Sequence, residues 1–231
     1  MAEMRLIDVK KEILSDNQAR AAENRELLRR NRVFMVNLMA SPGAGKTSLI
    51  MRTISDLQEA FGIGVIEGDI ASAVDAEKVA AAGVPAVQLR TGGFCHLDAT
   101  MISMALQELE LAKLDLVIVE NVGNLVCPAE FDLGENKKAM ILSIPEGDDK
   151  PLKYPLMFSV TDVLVINKMD YLGGGNADFD MTAFMARIQS LNQTVRTFKV
   201  SCKTGEGLGS WTHWLRDEIT LCRGAVPETI Q

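Results

Sequence analysis

Between an apolar run at residues 33–39 and a helical stretch reaching about residue 60 lies Ala40-Ser41-Pro42-Gly43-Ala44-Gly45-Lys46-Thr47. No other segment restricts the fold so tightly. A glycine-bearing turn from a buried strand into a helix lets successive backbone N–H groups converge on phosphate oxygens. The positive end of the helix dipole stands behind them. Lys46 is placed to neutralise the β- and γ-phosphates, and the Thr47 hydroxyl to ligate Mg²⁺. Gly43, Ala44, Gly45 and Ser48 complete the cradle. Ala40 stands where the strict motif has glycine, a small side chain that should fit. A chance glycine-rich turn would not explain Gly-Lys-Thr in register between strand and helix.

The rest of the chain repeats the alternation. Short apolar runs at 63–66, 86–89, 114–119, 139–144, 163–166 and 195–200 are separated by helical stretches at 75–82, 100–112, 179–191 and 207–222. Such strands, alternating with helices, predict an α/β fold with a mostly parallel sheet and helices on both faces. Residues 1–32 read as a helical extension. Its helix is expected from about 17 to 31, with Ser15 or Asp16 as cap and Leu27 and Leu28 on the apolar side. Gly173-Gly174-Gly175 reads as a permissive surface loop. With no repeat or low-complexity linker, residues 1–231 are read as a single P-loop NTPase domain with that N-terminal extension. A content of 47% hydrophobic residues supports one sizeable core.

A second strand should end in a carboxylate near the phosphates, and the run Leu116-Val117-Ile118-Val119-Glu120 does. Glu120 opens Glu120-Asn121-Val122-Gly123, a variant of the Asp-x-x-Gly element that senses a γ-phosphate. Alone, Glu120 would serve equally as an exposed strand cap. Beside a P-loop it becomes a Mg²⁺ partner, directly or through water. Asp69 ends another strand, and Asp75 lies six residues on. Either is placed to contact Mg²⁺ or orient the attacking water, and a plain capping role is open to each. The candidate catalytic set is Lys46, Asp69, Asp75 and Glu120.

Asn167-Lys168-Met169-Asp170 directly follows an apolar strand. An Asp170 carboxylate accepts from the N1–H and exocyclic amine of guanine. Adenine offers neither donor and would leave the carboxylate unpaired, so discrimination is large. The Lys168 stem can pack over the ring, and Asn167 braces the loop. Ser201-Cys202-Lys203, after the next strand, sits where a Ser-Ala-Lys element supports the base through a backbone N–H. Cys202 in place of Ala leaves that contact intact. GTP is therefore the expected nucleotide. A small-molecule kinase would need an acceptor site and an Arg-rich lid, and neither is visible.

The four cysteines, Cys95, Cys127, Cys202 and Cys222, are too few and too far apart for a disulfide framework. One of the two histidines, His96, directly follows Cys95 in the Gly-rich loop Gly92-Gly93-Phe94-Cys95-His96. Cys127 lies seven residues beyond Glu120. A lone cysteine is usually a buried apolar residue; an adjacent Cys-His pair in a glycine-rich loop points to metal. Thiolate and imidazole suit Zn²⁺, Ni²⁺ or Cu⁺. Three protein ligands leave a tetrahedral site open, for an exchangeable ligand or a second subunit to close. A regulatory GTP switch with merely structural cysteines is the competing reading.

A net charge of −7 argues against general nucleic-acid binding. No apolar run approaches a membrane span, and the polar start is no secretory signal, so a cytoplasmic location is expected.

Taken together, residues 40–47, the Gly-Gly-Phe-Cys-His loop, Glu120-Asn121-Val122-Gly123-Asn124-Leu125-Val126-Cys127-Pro128 and residues 167–170 resemble the HypB family over nearly the whole chain. These are SIMIBI-class GTPases that help insert nickel into nickel–iron hydrogenase. The resemblance implies a GTP-hydrolysing metallochaperone that is a homodimer, with a HypA-like nickel chaperone and the hydrogenase large subunit precursor as partners. It implies a low-affinity Ni²⁺ or Zn²⁺ site at the dimer interface, built from Cys95, His96 and Cys127 of both subunits. By the same likeness Lys153 reaches the partner's nucleotide, though a solvated lysine serves as well. Residues 1–32 contain no Cys and no His, so the nickel-storing sites of some members are not expected there. The urease counterpart UreG is similar but would show Cys-Pro-His, and service to urease stays open.

Overall fold

A computed structural model of the chain describes residues 9–69, 74–174 and 178–224. Strands β1 (Phe34–Ala40), β2 (Ile63–Asp69), β3 (Ala86–Arg90), β4 (Leu116–Glu120), β5 (Lys137–Ser143), β6 (Val163–Asn167) and β7 (Arg196–Lys199) form one sheet. Its order is β3-β2-β4-β1-β5-β6-β7, and every pairing is parallel. Parallel pairing requires each chain crossover to pass over a face, which is why the inner strands need cover on both sides and read as largely apolar runs, while the edge strands β3 and β7 carry polar residues. All seven residues of β1 are buried.

The period of two in β1 sorts its side chains between two cores. Phe34, Val36 and Leu38 face helices α2 (Lys46–Leu57), α3 (Val74–Ala81) and α8 (Leu208–Gly224). Trp211 and Trp214 of α8 fill that core against Phe34 and Phe198, and the Trp211 Nε1–H donates to Thr53 Oγ1 at 2.9 Å. On the other face Met35 meets α1 (Val9–Asn31) and α4 (Ala99–Gln107), while Met39 meets α6 (Pro155–Val160) and α7 (Met181–Leu191).

Helix α1 reaches back to Val9, well before the expected start. Ser15 and Asp16 lie inside it, both exposed, where a polar side chain in solvent costs the helix little. The short α5 (Lys150–Lys153) and α6 were not foreseen. Pro151 and Pro155 look like breakers, yet each sits in a first helical turn, where the missing N–H has no intrahelical partner to lose. Gly173 and Gly174 close a 3₁₀ stretch, Met169–Gly174, whereas Gly175 lies outside the described residues. Among the described residues no helix is long and apolar enough to cross a membrane.

Because all strands run the same way, their carboxyl ends form one rim. Ala40, Asp69, Arg90, Glu120, Ser143 and Asn167 all end strands there. Ligands of open α/β sheets bind outside this edge, where the strand order reverses. Here β1 lies between β4 and β5, and the loop after β1 is the P-loop.

Candidate functional site

Gly45 caps α2 in the left-handed conformation, φ 103°. A Cβ there would stand 2.4 Å from Asn167 Nδ2, so glycine is required by both the turn and the neighbour. Asn167 uses the closeness: its Nδ2 donates to the Ala44 carbonyl at 3.0 Å, and its Oδ1 accepts from Lys168 N and Cys202 N at 2.7 and 3.2 Å. Lys168 is itself left-handed at φ 61°, and its ammonium donates to the Gly43 carbonyl at 2.8 Å. The loop after β6 is thus bolted to the P-loop.

A cavity of about 650 Å³ opens beside this junction, lined by the P-loop, Asp69, Lys78, residues 120–123 and Lys168. Lys46 is only 8% exposed, and its Nζ lies 4.0 Å from Glu120 Oε1. The Thr47 hydroxyl donates to the same carboxylate, at 3.0 Å to Oε1 and 3.1 Å to Oε2. The Thr47 hydroxyl and the Glu120 carboxylate, with Asp69 on the same cavity wall, are hard oxygen donors of the kind Mg²⁺ takes together with phosphate oxygens. Ser48 lines the same cavity. Asp75 lies in the first turn of α3, and its side chain is outside the described residues.

Ser201 Oγ donates to Asp170 Oδ1 at 2.7 Å, and Lys203 Nζ lies 3.8 Å from Asp170 Oδ2. The Cys202 N–H, expected to reach a base, is donated to Asn167 here. Burial pushes the Cys202 thiol up to about 11, which keeps it protonated. Arg52 of α2 was not singled out from sequence; its Nε donates to the Cys202 carbonyl at 3.0 Å and holds the 201–203 loop against the helix. Lys78 was also missed, since its place on the cavity wall depends on how α3 packs.

Cys95, His96 and Cys127 meet at the rim with their donor atoms all within 4.8 Å. The Cys95 and Cys127 sulfurs are 3.1 Å apart, and His96 Nδ1 is 3.8 Å from Cys95 Sγ. Bonds of about 2.0 Å to nitrogen and 2.3 Å to sulfur let one ion span such a triangle. His96 stacks on Phe131, centroids 4.0 Å apart, and burial lowers its pKa. The Cys127 thiol is raised, first by its hydrogen bond with Cys95 and then by burial, while the Asn124 amide opposes the shift. Lys153 is exposed and pairs with Asp149 of its own chain.

An all-parallel sheet with a P-loop at its central strand defines a P-loop nucleotide-binding domain, here carrying a cluster of two thiols and an imidazole on the same rim. The model of the CobW/HypB/UreG nucleotide-binding domain family matches residues 34–199. The chain belongs to the HypB family of hydrogenase maturation factors. It is 46% identical over 226 residues to hydrogenase maturation factor HypB of Rhizobium leguminosarum bv. viciae, covering 98% of this chain and 74% of that one. HypB from Helicobacter pylori in complex with nickel superposes with a TM-score of 0.84 at 35% identity, covering 93% of this chain and 100% of that one. The signal recognition particle receptor FtsY from Elizabethkingia anophelis shares the fold alone: TM-score 0.53, 15% identity, over 79% of this chain and 65% of that one.

Proposed function

We propose that this chain is a GTP-hydrolysing nickel carrier of nickel–iron hydrogenase maturation whose metal affinity depends on its nucleotide state. The observation that carries the reading is physical continuity. Cys127, in contact with Cys95, lies only seven positions beyond Glu120, which stands beside Thr47 and Lys46. In this reading the P-loop N–H groups and Lys46 hold the phosphates, while Thr47, Glu120 and Asp69 are the donors for Mg²⁺, with Asp75 as the further candidate on α3. Asp170 selects guanine, braced by Ser201. Mg²⁺ supplies charge neutralisation at the β- and γ-phosphates when bound. Nickel is cargo, held by Cys95, His96 and Cys127.

With no glutamine or arginine assigned to the attacking water, intrinsic turnover is slow, roughly 10⁻³ s⁻¹ or below, as in unassisted GTPases. The open coordination position and the family likeness support a homodimer. The likeness alone supports Lys153 reaching the partner's nucleotide, a HypA-like donor, the hydrogenase large subunit precursor as recipient and a cytoplasmic setting. The single sheet supports one domain for the whole chain.

The test measures phosphate release from GTP and ATP, together with nickel and zinc stoichiometry, in the full chain and in Cys95→Ala. Hydrolysis confined to GTP, with metal lost in the variant, is the expected result. Equal turnover of ATP would overturn the nucleotide assignment. Undiminished metal binding in the variant would overturn the carrier assignment.

A further inference from the structure

Two asparagines in the segment between Glu120 and Cys127 make bonds that neither nucleotide nor metal chemistry accounts for. Asn121 is 1% exposed. Its Oδ1 accepts from the Leu97 N–H at 3.1 Å, immediately after His96, and from Val122 N at 2.9 Å. Its Nδ2 donates to Asn37 Oδ1 at 3.2 Å, and Asn37 in turn donates to buried Glu135 at 3.2 Å. Fully satisfied buried amides of this kind are rigid, because moving one strands several partners at once. Asn121 therefore pins the far end of the metal loop to the centre of the sheet.

Asn124 sits differently. It is half-buried, its Oδ1 accepts from the Val126 N–H at 2.9 Å, and its Nδ2 donates to the Cys95 carbonyl at 3.2 Å. One side chain thus ties the backbone of Cys95 to the turn that leads into Cys127. Between the two asparagines, Gly123 lies on the cavity wall so close to the P-loop that a Cβ would stand 2.9 Å from Pro42 Cγ. A displacement of residues 122–123 by an occupant of the phosphate cavity meets a fixed point at Asn121 and is passed on at Asn124.

We propose that Asn124 is the positioning residue that converts nucleotide state into the spacing of Cys95 and Cys127. The inference rests on the nucleotide-gated reading above. Asn124 sits outside the nucleotide cavity and the ligand triangle, and acts through the backbone of Cys95 and the turn before Cys127. Coupling between two sites needs an element with different contacts in the two states, and linkage makes its effect reciprocal.

The experiment titrates Ni²⁺ into the full chain against a chromophoric chelator, with Mg²⁺ and either GDP or a non-hydrolysable GTP analogue. Wild type, Asn124→Ala and Asn124→Ser are compared. Serine retains an oxygen for the Val126 N–H, as Ser turns do for Asx turns, but is too short for the Cys95 carbonyl. The wild-type metal affinity is expected to differ about fivefold or more between the two nucleotide states, and that of both variants by about twofold or less. Nucleotide affinities and the sulfur-to-nickel charge-transfer band are expected to persist in the variants. A variant that retains the wild-type ratio overturns the inference. So does one that loses nickel equally in both states, since Asn124 would then only hold the site together. A wild-type ratio of one overturns the nucleotide-gated reading itself, and the role of Asn124 falls with it.

Discussion

Asp170 accepts two donors of guanine in the proposed reading, and Ser201 and Lys203 already orient its carboxylate. Replacing Asp170 by Asn puts an amide N–H₂ against the N1–H or the exocyclic amine, donor facing donor. The unpaired contact should weaken GTP by about 10²-fold, or ~2.7 kcal/mol, without improving ATP. Competition between labelled GDP and each nucleotide reads this directly; unchanged GTP affinity would remove Asp170 from base selection. Gly45 tests the junction from the other side. The Cβ of Gly45→Ala would collide with Asn167 Nδ2 and demand a strained left-handed alanine. It should abolish nucleotide binding while the sheet, monitored by circular dichroism, stays folded. Retained binding would show that Asn167 can yield without loss.

At the scale of elements, α1 is attached through buried amides as well as apolar packing. Asn24 Nδ2 donates to the Ala99 and Leu133 carbonyls at 2.8 and 3.0 Å, and Asn17 bridges Ala99 N and the Asp132 carbonyl. Asn24→Ala leaves two carbonyls unpaired and is expected to cost about 1–3 kcal/mol. At the 2–4 °C per kcal/mol usual for a chain this long, thermal unfolding shifts down by roughly 2–12 °C. A shift under 1 °C would mean that water replaces the amide. The same helix carries an acid-sensitive patch, since Arg29 and then Arg30 hold the Glu26 carboxyl down to about 2. A depressed carboxylate contributes stability that is present above its unfolded pKa and lost as pH falls through the folded one. The contribution of Glu26 therefore fades between about 4.5 and about 2. Glu26→Gln should flatten that part of the acid unfolding curve followed by far-ultraviolet circular dichroism; an unaltered curve would place the acid sensitivity elsewhere.

These attachments mark where sequence reasoning stops. The inner strands were legible because burial on both faces makes them largely apolar runs, as in β1, and their ends located Lys46, Glu120 and Asn167. The start of α1 was misplaced because a polar pair such as Ser15-Asp16 looks the same as a cap or as an exposed helical face. Asn24, Asn37 and Asn121 are ordinary polar letters until tertiary folding brings carbonyls and amides to them. Asn124 had a local signal, an asparagine two residues before an N–H it could accept, yet its bond to Cys95 spans 29 positions.

At the scale of the whole molecule, the proposed homodimer has a physical basis in the surroundings of the metal ligands. Phe94 precedes Cys95 and is 61% exposed; Val126 precedes Cys127 and is 55% exposed. Apolar side chains beside a three-donor site form a surface that a second copy could cover while completing a four-coordinate ion. Metal binding and self-association then become one equilibrium, and apparent metal affinity rises with protein concentration. Adding Ni²⁺ or Zn²⁺ at fixed nucleotide should shift the sedimentation mass from monomer to dimer, and a chelator should reverse it. Val126→Ser removes apolar area without touching a ligand, and is expected to weaken the metal-bound dimer by about tenfold, at ~1.4 kcal/mol per decade. Metal taken up stoichiometrically by a species whose mass stays monomeric would separate the two events, leaving the fourth position to an exchangeable small ligand.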